Sequence, residues 1–159
     1  MSTAIRIRLA ILFAAAILLD QVTKYLAYAC LRPVRRIGLI PGVLELQYLE
    51  NRGAAFGMLQ NRQWIFILFA VIIMAGCFIY SRTLPKTAHY LPLRLCLLFL
   101  CAGALGNMID RLAHKYVIDF IYFSIINFPV FNVADIYVSL SVTAMVILVL
   151  FFYRDQENE

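Results

Sequence analysis

Apolar residues gather in four long blocks, residues 9–31, 64–80, 93–109 and 133–153. Each is near the ~20 residues that a helix needs to cross a hydrocarbon core. The second block is apolar apart from Gly76 and its terminal Tyr80, and the fourth carries one acid, Asp135, near its start. The third includes Arg94, which can snorkel at one end, and Asn107, which needs a partner at the other. The first is interrupted by Asp20-Gln21-Val22-Thr23-Lys24, after which the apolar pattern resumes. Arg6 and Arg8 ahead of the run 9–19 also resemble the opening of a secretory signal peptide. No small-residue cleavage pattern follows Leu19, so the run is assigned to a first span.

The intervening segments differ in character. Residues 32–63 read as a small folded extramembrane segment, with Pro33, Gly38, Pro41 and Gly42 as turn signals. Within it, Leu44, Leu46 and Tyr48 alternate with Glu45, Gln47 and Leu49, as in a half-buried strand. A short loop, 81–92, joins the second and third spans. The connection 110–132 is too apolar for a solvated loop, with Ile118, Phe120, Ile121, Phe123, Ile125, Ile126 and Phe128, and is expected to dip into the interface or pack on the helices. No internal repeat or low-complexity stretch is found.

Composition agrees with this pattern. Of 159 residues, 64% are apolar and 14% charged, and the mean hydropathy is +0.84. Counting glycine in place of tyrosine leaves the share far above the roughly 45–50% of soluble domains, so disordered, collagen-like and coiled-coil classes are excluded. The expected architecture is a single membrane-embedded domain over 1–159, an all-α polytopic protein of four transmembrane helices with a small β-containing segment between the first two. The net charge of +5 is scattered between apolar runs. It reads as interfacial anchors facing lipid headgroups rather than as a nucleic-acid surface. Four spans put both termini on one side, which carries Arg6, Arg8, Arg82, Lys86, Arg94 and Arg154; the other carries Lys24, Arg32, Arg35, Arg36, Arg52, Arg62, Arg111 and Lys115. Basic-residue bias therefore does not orient the chain.

Cys30, Cys77, Cys96 and Cys101 lie in or beside spans without C-x-x-C spacing and read as free, buried thiols. His89 and His114 sit in different loops, with no ligand spacing for zinc. No phosphate loop, G-x-S-x-G elbow or dinucleotide fingerprint occurs.

The polar residues inside or beside apolar blocks carry the candidate chemistry, because a charge in lipid needs a partner or a task. Asp20 and Lys24 are spaced for an i,i+4 ion pair in the favourable order. Asn107, Asp110 and Arg111 close the third span at spacings that put them on one face, either as a helix end with an interfacial arginine or as part of a site. Asn132 and Asp135 have the spacing of an N-cap and an acid in the first turn. Asp119, among apolar neighbours, is expected to have a raised pKa unless paired. If the 110–132 connection folds back over the start of the fourth helix, Asp119 and Asp135 meet at the membrane surface. Two carboxylates in one site share a proton, the chemistry by which one activates water and the other protonates a leaving group.

Five blocks in order carry more than this: Asp20-x-x-Thr23-Lys24; Asn51-Arg52-Gly53-Ala54-Ala55-Phe56-Gly57; Gly106-Asn107-x-x-Asp110-Arg111; Val117-x-Asp119-Phe120; and Phe131-Asn132-Val133-Ala134-Asp135. Together the chain resembles the lipoprotein signal peptidase (signal peptidase II) family of bacterial membrane aspartic proteases. The resemblance implies that Asp119 and Asp135 are the catalytic dyad, that Asn51, Gly53, Asn107, Arg111 and Asn132 bind substrate or support the dyad, and that Asp20, Lys24 and Asp110 are largely structural. It implies no cofactor and no metal. The implied substrate is a diacylglyceryl-modified prolipoprotein cut on the N-terminal side of its lipidated cysteine. The implied setting is the inner membrane, among membrane lipids, with cytoplasmic termini, extracytoplasmic segments at 32–63 and 110–132, and the dyad near the outer face; a monomer is expected. The residues alone leave open a small proton-coupled transporter or a non-catalytic membrane scaffold.

Overall fold

The computed structural model describes residues 2–53 and 62–153; residues 54–57 of the second motif block and Arg154 fall outside that set. Four long helices carry the fold: α1 (Thr3–Leu26), α2 (Gln63–Thr83), α3 (Leu91–His114) and α4 (Val133–Ile147). α1 widens into π-type turns over Ala27–Leu31, and α4 does the same over Leu148–Phe152. Three stretches among the described residues are long and apolar enough to cross a membrane: Gln63–Thr83, Ala88–His114 and Val133–Phe152. α1 is as long as α3, at 24 residues, but carries Arg6, Arg8, Asp20 and Lys24.

α3 is the hub and packs against α1, α2 and α4. Two glycines let its neighbours approach. A side chain on Gly103 would meet the main-chain oxygen of Ala134 at 2.5 Å, and one on Gly106 would run into the Asp20 carboxylate. Outward faces stay apolar, as lipid requires: Leu18, Tyr25, Trp64, Phe78, Leu140 and Phe151 are among the exposed large side chains.

Three strands cover one end of the bundle: β1 (Arg36–Ile40), β2 (Leu44–Asn51) and β3 (Val117–Phe123), antiparallel in the order β1-β2-β3. β2 contains the run expected from alternation, but a register shift between Leu46 and Leu49 breaks the period. Glu45 and Tyr48 are consequently the buried positions, not the set Leu44, Leu46 and Tyr48. β3 bears out the expectation that 110–132 packs on the helices, and it adds a strand outside the segment 32–63 where β structure was expected. Val117, Ile118, Asp119 and Phe120 are all buried, so this part is a strand covered on both faces, which explains its apolar character on either side of Asp119. Ile118 and Phe120 pack with Tyr48, Ala27 and Leu31, tying the sheet to the end of α1. Lys115, in the left-handed region at φ 67°, ends α3 and turns the chain into β3.

All four cysteines are free; Cys77 is buried, Cys96 and Cys101 are half-buried, and Cys30 is exposed rather than buried.

Candidate active site

The site begins as a buried ion cluster between α1, α3 and α4. Lys24 is 2% exposed, and its three N–H donors have three acceptors: Asp20 Oδ2 at 2.9 Å, Asp110 Oδ2 at 3.1 Å and Asn107 Oδ1 at 2.9 Å. The Asp20–Lys24 pair expected from its spacing is thus present, with Asp110 as a second counter-ion. The other carboxylate valences are also filled. Asp20 Oδ1 accepts from the Ala134 N–H at 3.0 Å, and Asp110 Oδ2 accepts from the Ile118 N–H at 3.3 Å. Gln21, which sequence reasoning passed over, donates toward Asp20, Asp110 and the Gly106 carbonyl. Such satisfaction is what lets a charged cluster persist out of water.

From this cluster an amide relay leads outward. Asn107 takes the Lys24 bond on its oxygen and donates through Nδ2 to Asp135 Oδ1 at 2.8 Å. Asn132 caps α4: its Oδ1 accepts from the Asp135 N–H at 3.1 Å, while Asp135 Oδ2 accepts from the Asn132 N–H at 3.1 Å. This is the capping arrangement read from the sequence. The same Asn132, fully buried, donates through Nδ2 to Asp119 Oδ1 at 2.6 Å and to Asn107 Oδ1 at 3.2 Å. Asn51 donates to the other oxygen of Asp119 at 2.8 Å. The sheet explains that last bond. Asn51 lies opposite Val117 and Asp119 is two residues further, on the same face of β3. Asn51 is itself held by the Gly53 N–H at 3.0 Å.

Asp119, Asp135, Asn51, Gly53 and Arg111 line one cavity of about 1080 Å³; Asn107 and Asn132 stand behind it, and Asp20, Lys24 and Asp110 lie deeper. Gln47, Leu49 and Glu50 of β2 also line it, and the wall continues through Phe128, Val130 and Phe131 of the β3–α4 connection to Ile136, Ser139 and Leu140 of α4. Asn107, Asp110 and Arg111 share one broad face of α3, as their spacing suggested: Asn107 and Asp110 both meet Lys24, and Arg111 reaches back to the Asn107 main chain. Successive helical residues point about 100° apart, so Asp110 turns to Lys24 while Arg111 turns to the cavity. Arg111 reaches the Asn107 main-chain oxygen at 3.3 Å, and its guanidinium sits 4.6 Å from the Phe66 ring centre.

Burial pushes the Asp119 carboxyl up to about 7, with Asp135 adding to the effect; the hydrogen bonds from Asn51 and Asn132 and the charge of Lys24 oppose it. Asp119 is 2% exposed, whereas Asp135 is only half-buried and opens to the cavity. One carboxyl that holds a proton near neutral pH beside a carboxyl open to the cavity is suited to paired acid–base catalysis.

Sequence and structural comparisons identify the family of the chain. The profile of the family "Signal peptidase (SPase) II" matches residues 12–152. The chain is 45% identical to the lipoprotein signal peptidase of Symbiobacterium thermophilum, over 83% of this chain and 87% of that protein. It is 42% identical to the lipoprotein signal peptidase of Geobacillus thermodenitrificans, over 93% and 92%. A solved bacterial membrane enzyme, determined by the in meso method at 2.3 Å resolution, superposes with a TM-score of 0.83 at 29% identity, covering 96% of this chain and 91% of that one. With a family profile that spans nearly the whole chain and relatives this similar over most of their length, the protein belongs to the signal peptidase II family.

Proposed function

We propose that Asp119 and Asp135 are the catalytic dyad of an aspartic endopeptidase that removes the signal peptide from diacylglyceryl-modified prolipoproteins, cutting on the N-terminal side of the lipidated cysteine. The observation that carries this reading is that one buried residue, Asn132, binds both carboxyl groups at the wall of a single cavity, Asp119 through its side-chain amide and Asp135 through its main-chain N–H. Asp119 holds the shared proton and Asp135 is the base. Asp135 takes a proton from water as the oxygen attacks the scissile carbonyl carbon, while Asp119 passes its proton to the carbonyl oxygen. Asp135 then gives its proton to the amide nitrogen. The carbon–nitrogen bond breaks, and a hydroxyl proton of the intermediate returns to Asp119, restoring the starting state. Asn51, Asn107 and Asn132 hold the carboxyls, whereas Gly53 and Arg111 meet the extended peptide.

The apolar α4 face at Ile136 and Leu140, with Phe128 opposite, suits a substrate fixed in the membrane by its lipid. α1 serves as a fourth span, supported by the exposed apolar Ile11, Leu18 and Leu19. Tyr25, Tyr28 and Trp64, exposed near the cavity end of α1 and α2, form an interfacial aromatic belt. The termini lie in the cytoplasm of a bacterial inner-membrane protein and the cavity lies near the outer face. Three of the four long helices, α1, α3 and α4, contribute to one polar network, which supports a single domain, and the chain is proposed to act as a monomer.

The test is cleavage by purified protein, with chelator present throughout, of a diacylglyceryl-modified prolipoprotein beside its unlipidated form. Cleavage of the lipidated substrate alone, absent in Asp119→Asn and in Asp135→Asn while both remain folded, is expected. Wild-type turnover in either variant overturns the dyad assignment.

A further inference from the structure

Resting on that dyad, we infer that Lys24 is a positioning residue for catalysis: its ammonium fixes which end of the Asn107 amide faces Asp135 and thereby holds the relay that orients both carboxyl groups. An asparagine amide can present either its oxygen or its nitrogen in a given direction, and its partners decide which. Lysine is a donor only, so the atom of Asn107 at 2.9 Å from Lys24 Nζ must be the oxygen. The nitrogen then faces Asp135 Oδ1 at 2.8 Å, and the oxygen also receives Asn132 Nδ2 at 3.2 Å. Asn132 in turn holds Asp119. A purely structural ion pair needs only Asp20 and Asp110; the third N–H of Lys24 is directed instead into the relay.

Lys24 also acts on Asp119 through charge, lowering its proton affinity against the effect of burial. The groups facing Asp119 from the packed elements are Asp135 on α4, Lys24 on α1 and Arg111 on α3. At the end of the adjoining β2, Glu50 pairs with Arg52, just beyond the strand, at 3.1 Å. Removing Lys24 therefore lets Asp119 keep its proton to higher pH.

Lys24→Met tests this directly. The expected result is a fall in kcat on the order of 10- to 100-fold, the scale of a misplaced catalytic group, with KM for the lipidated substrate little changed. The alkaline limb of the kcat profile moves to higher pH, which loss of a merely structural contact does not produce. Because Lys24→Met leaves two buried carboxylates without their cation, a second variant, Lys24→Met with Asp20→Asn and Asp110→Asn, removes all three charges and keeps acceptor oxygens for the Ala134 and Ile118 N–H groups. It is expected to fold and to show the same split between kcat and KM. Wild-type kcat in either folded variant overturns the inference. Failure of both variants to fold does so too, because it assigns Lys24 to stability alone. Asp119→Asn, assayed alongside, separates the two claims: activity there removes the dyad, whereas an inactive Asp119→Asn with wild-type kcat in the Lys24 variants removes only the role given to Lys24.

Discussion

Asn132 donates through Nδ2 to Asp119 Oδ1 at 2.6 Å, so the residue that caps α4 also holds a carboxyl group of β3. Local helix chemistry and a contact across the fold thus depend on one side chain. The two roles separate in Asn132→Ser. Serine is as good an N-cap as asparagine, so the cap survives, and the loss of thermal stability in detergent, about 1–3 kcal/mol, comes from the acceptors that Asn132 leaves unpaired. A serine hydroxyl cannot span to Asp119 and Asn107 together, so turnover falls on the order of 100-fold. Unchanged turnover in the folded variant would show that the bridge is not needed.

Activity is expected to decline as pH rises through about 7, the value to which burial, and then Asp135, push Asp119. The sign follows from the role proposed for Asp119: an acid must hold its proton, and above that pH the proton is lost. Asn51 stabilises the charged form through its 2.8 Å bond. Asn51→Ala therefore raises the proton affinity further, and the alkaline limb of kcat moves to higher pH. A limb that moves to lower pH contradicts this reading of Asp119.

What the sequence disclosed follows from where its signals are local. α2 announces itself because a helix in lipid is apolar all round, and the Asn132–Asp135 cap because its partners are three residues apart. β3 gave no alternation, being buried on both faces, and a bulge spoiled the alternation of β2. Gln21 could not be singled out, since its partners Gly106 and Asp110 lie 85 and 89 residues away. Asp119 and Asp135 stood out as acids in apolar surroundings. That they share Asn132 is a property of the folded chain alone. The spacing of Asp110 and Arg111 placed them on one face with Asn107 but did not name their partners, because adjacent helical residues diverge to opposite edges of that face and each meets a different neighbour.

Arg111 faces the cavity with its guanidinium against Phe66, a planar arrangement that lysine does not reproduce. Arg111→Lys keeps the charge but loses the stacked, forked donor set. KM for the lipidated substrate is expected to rise about 10-fold, the loss of a single charge-assisted hydrogen bond of about 1.4 kcal/mol, with kcat less affected. A variant whose KM is unchanged while kcat collapses would instead place Arg111 with the groups that hold the dyad.

Gly106 has no room for a side chain because the Asp20 carboxylate packs against it, whereas Gly76 on α2 has no neighbour within 4 Å of an added Cβ. Both are helical glycines, so an alanine at either should gain about 1 kcal/mol in helix propensity. At Gly106 that gain is opposed by overpacking of about 1–3 kcal/mol. The displaced carboxylate also loosens from Lys24 and from the Ala134 N–H, and a broken buried ion pair costs about 3–5 kcal/mol. Overpacking and the broken ion pair together outweigh the propensity gain, so Gly106→Ala is expected to unfold at lower temperature and to lose cleavage, while Gly76→Ala unfolds at the wild-type temperature or above and cleaves normally. Thermal unfolding of the two variants in the same detergent, read beside cleavage, checks the comparison. Equal stability in both would mean that α1 can withdraw from α3 without cost, and the tight packing of Asp20 against Gly106 would then not be what fixes the ion cluster behind the dyad.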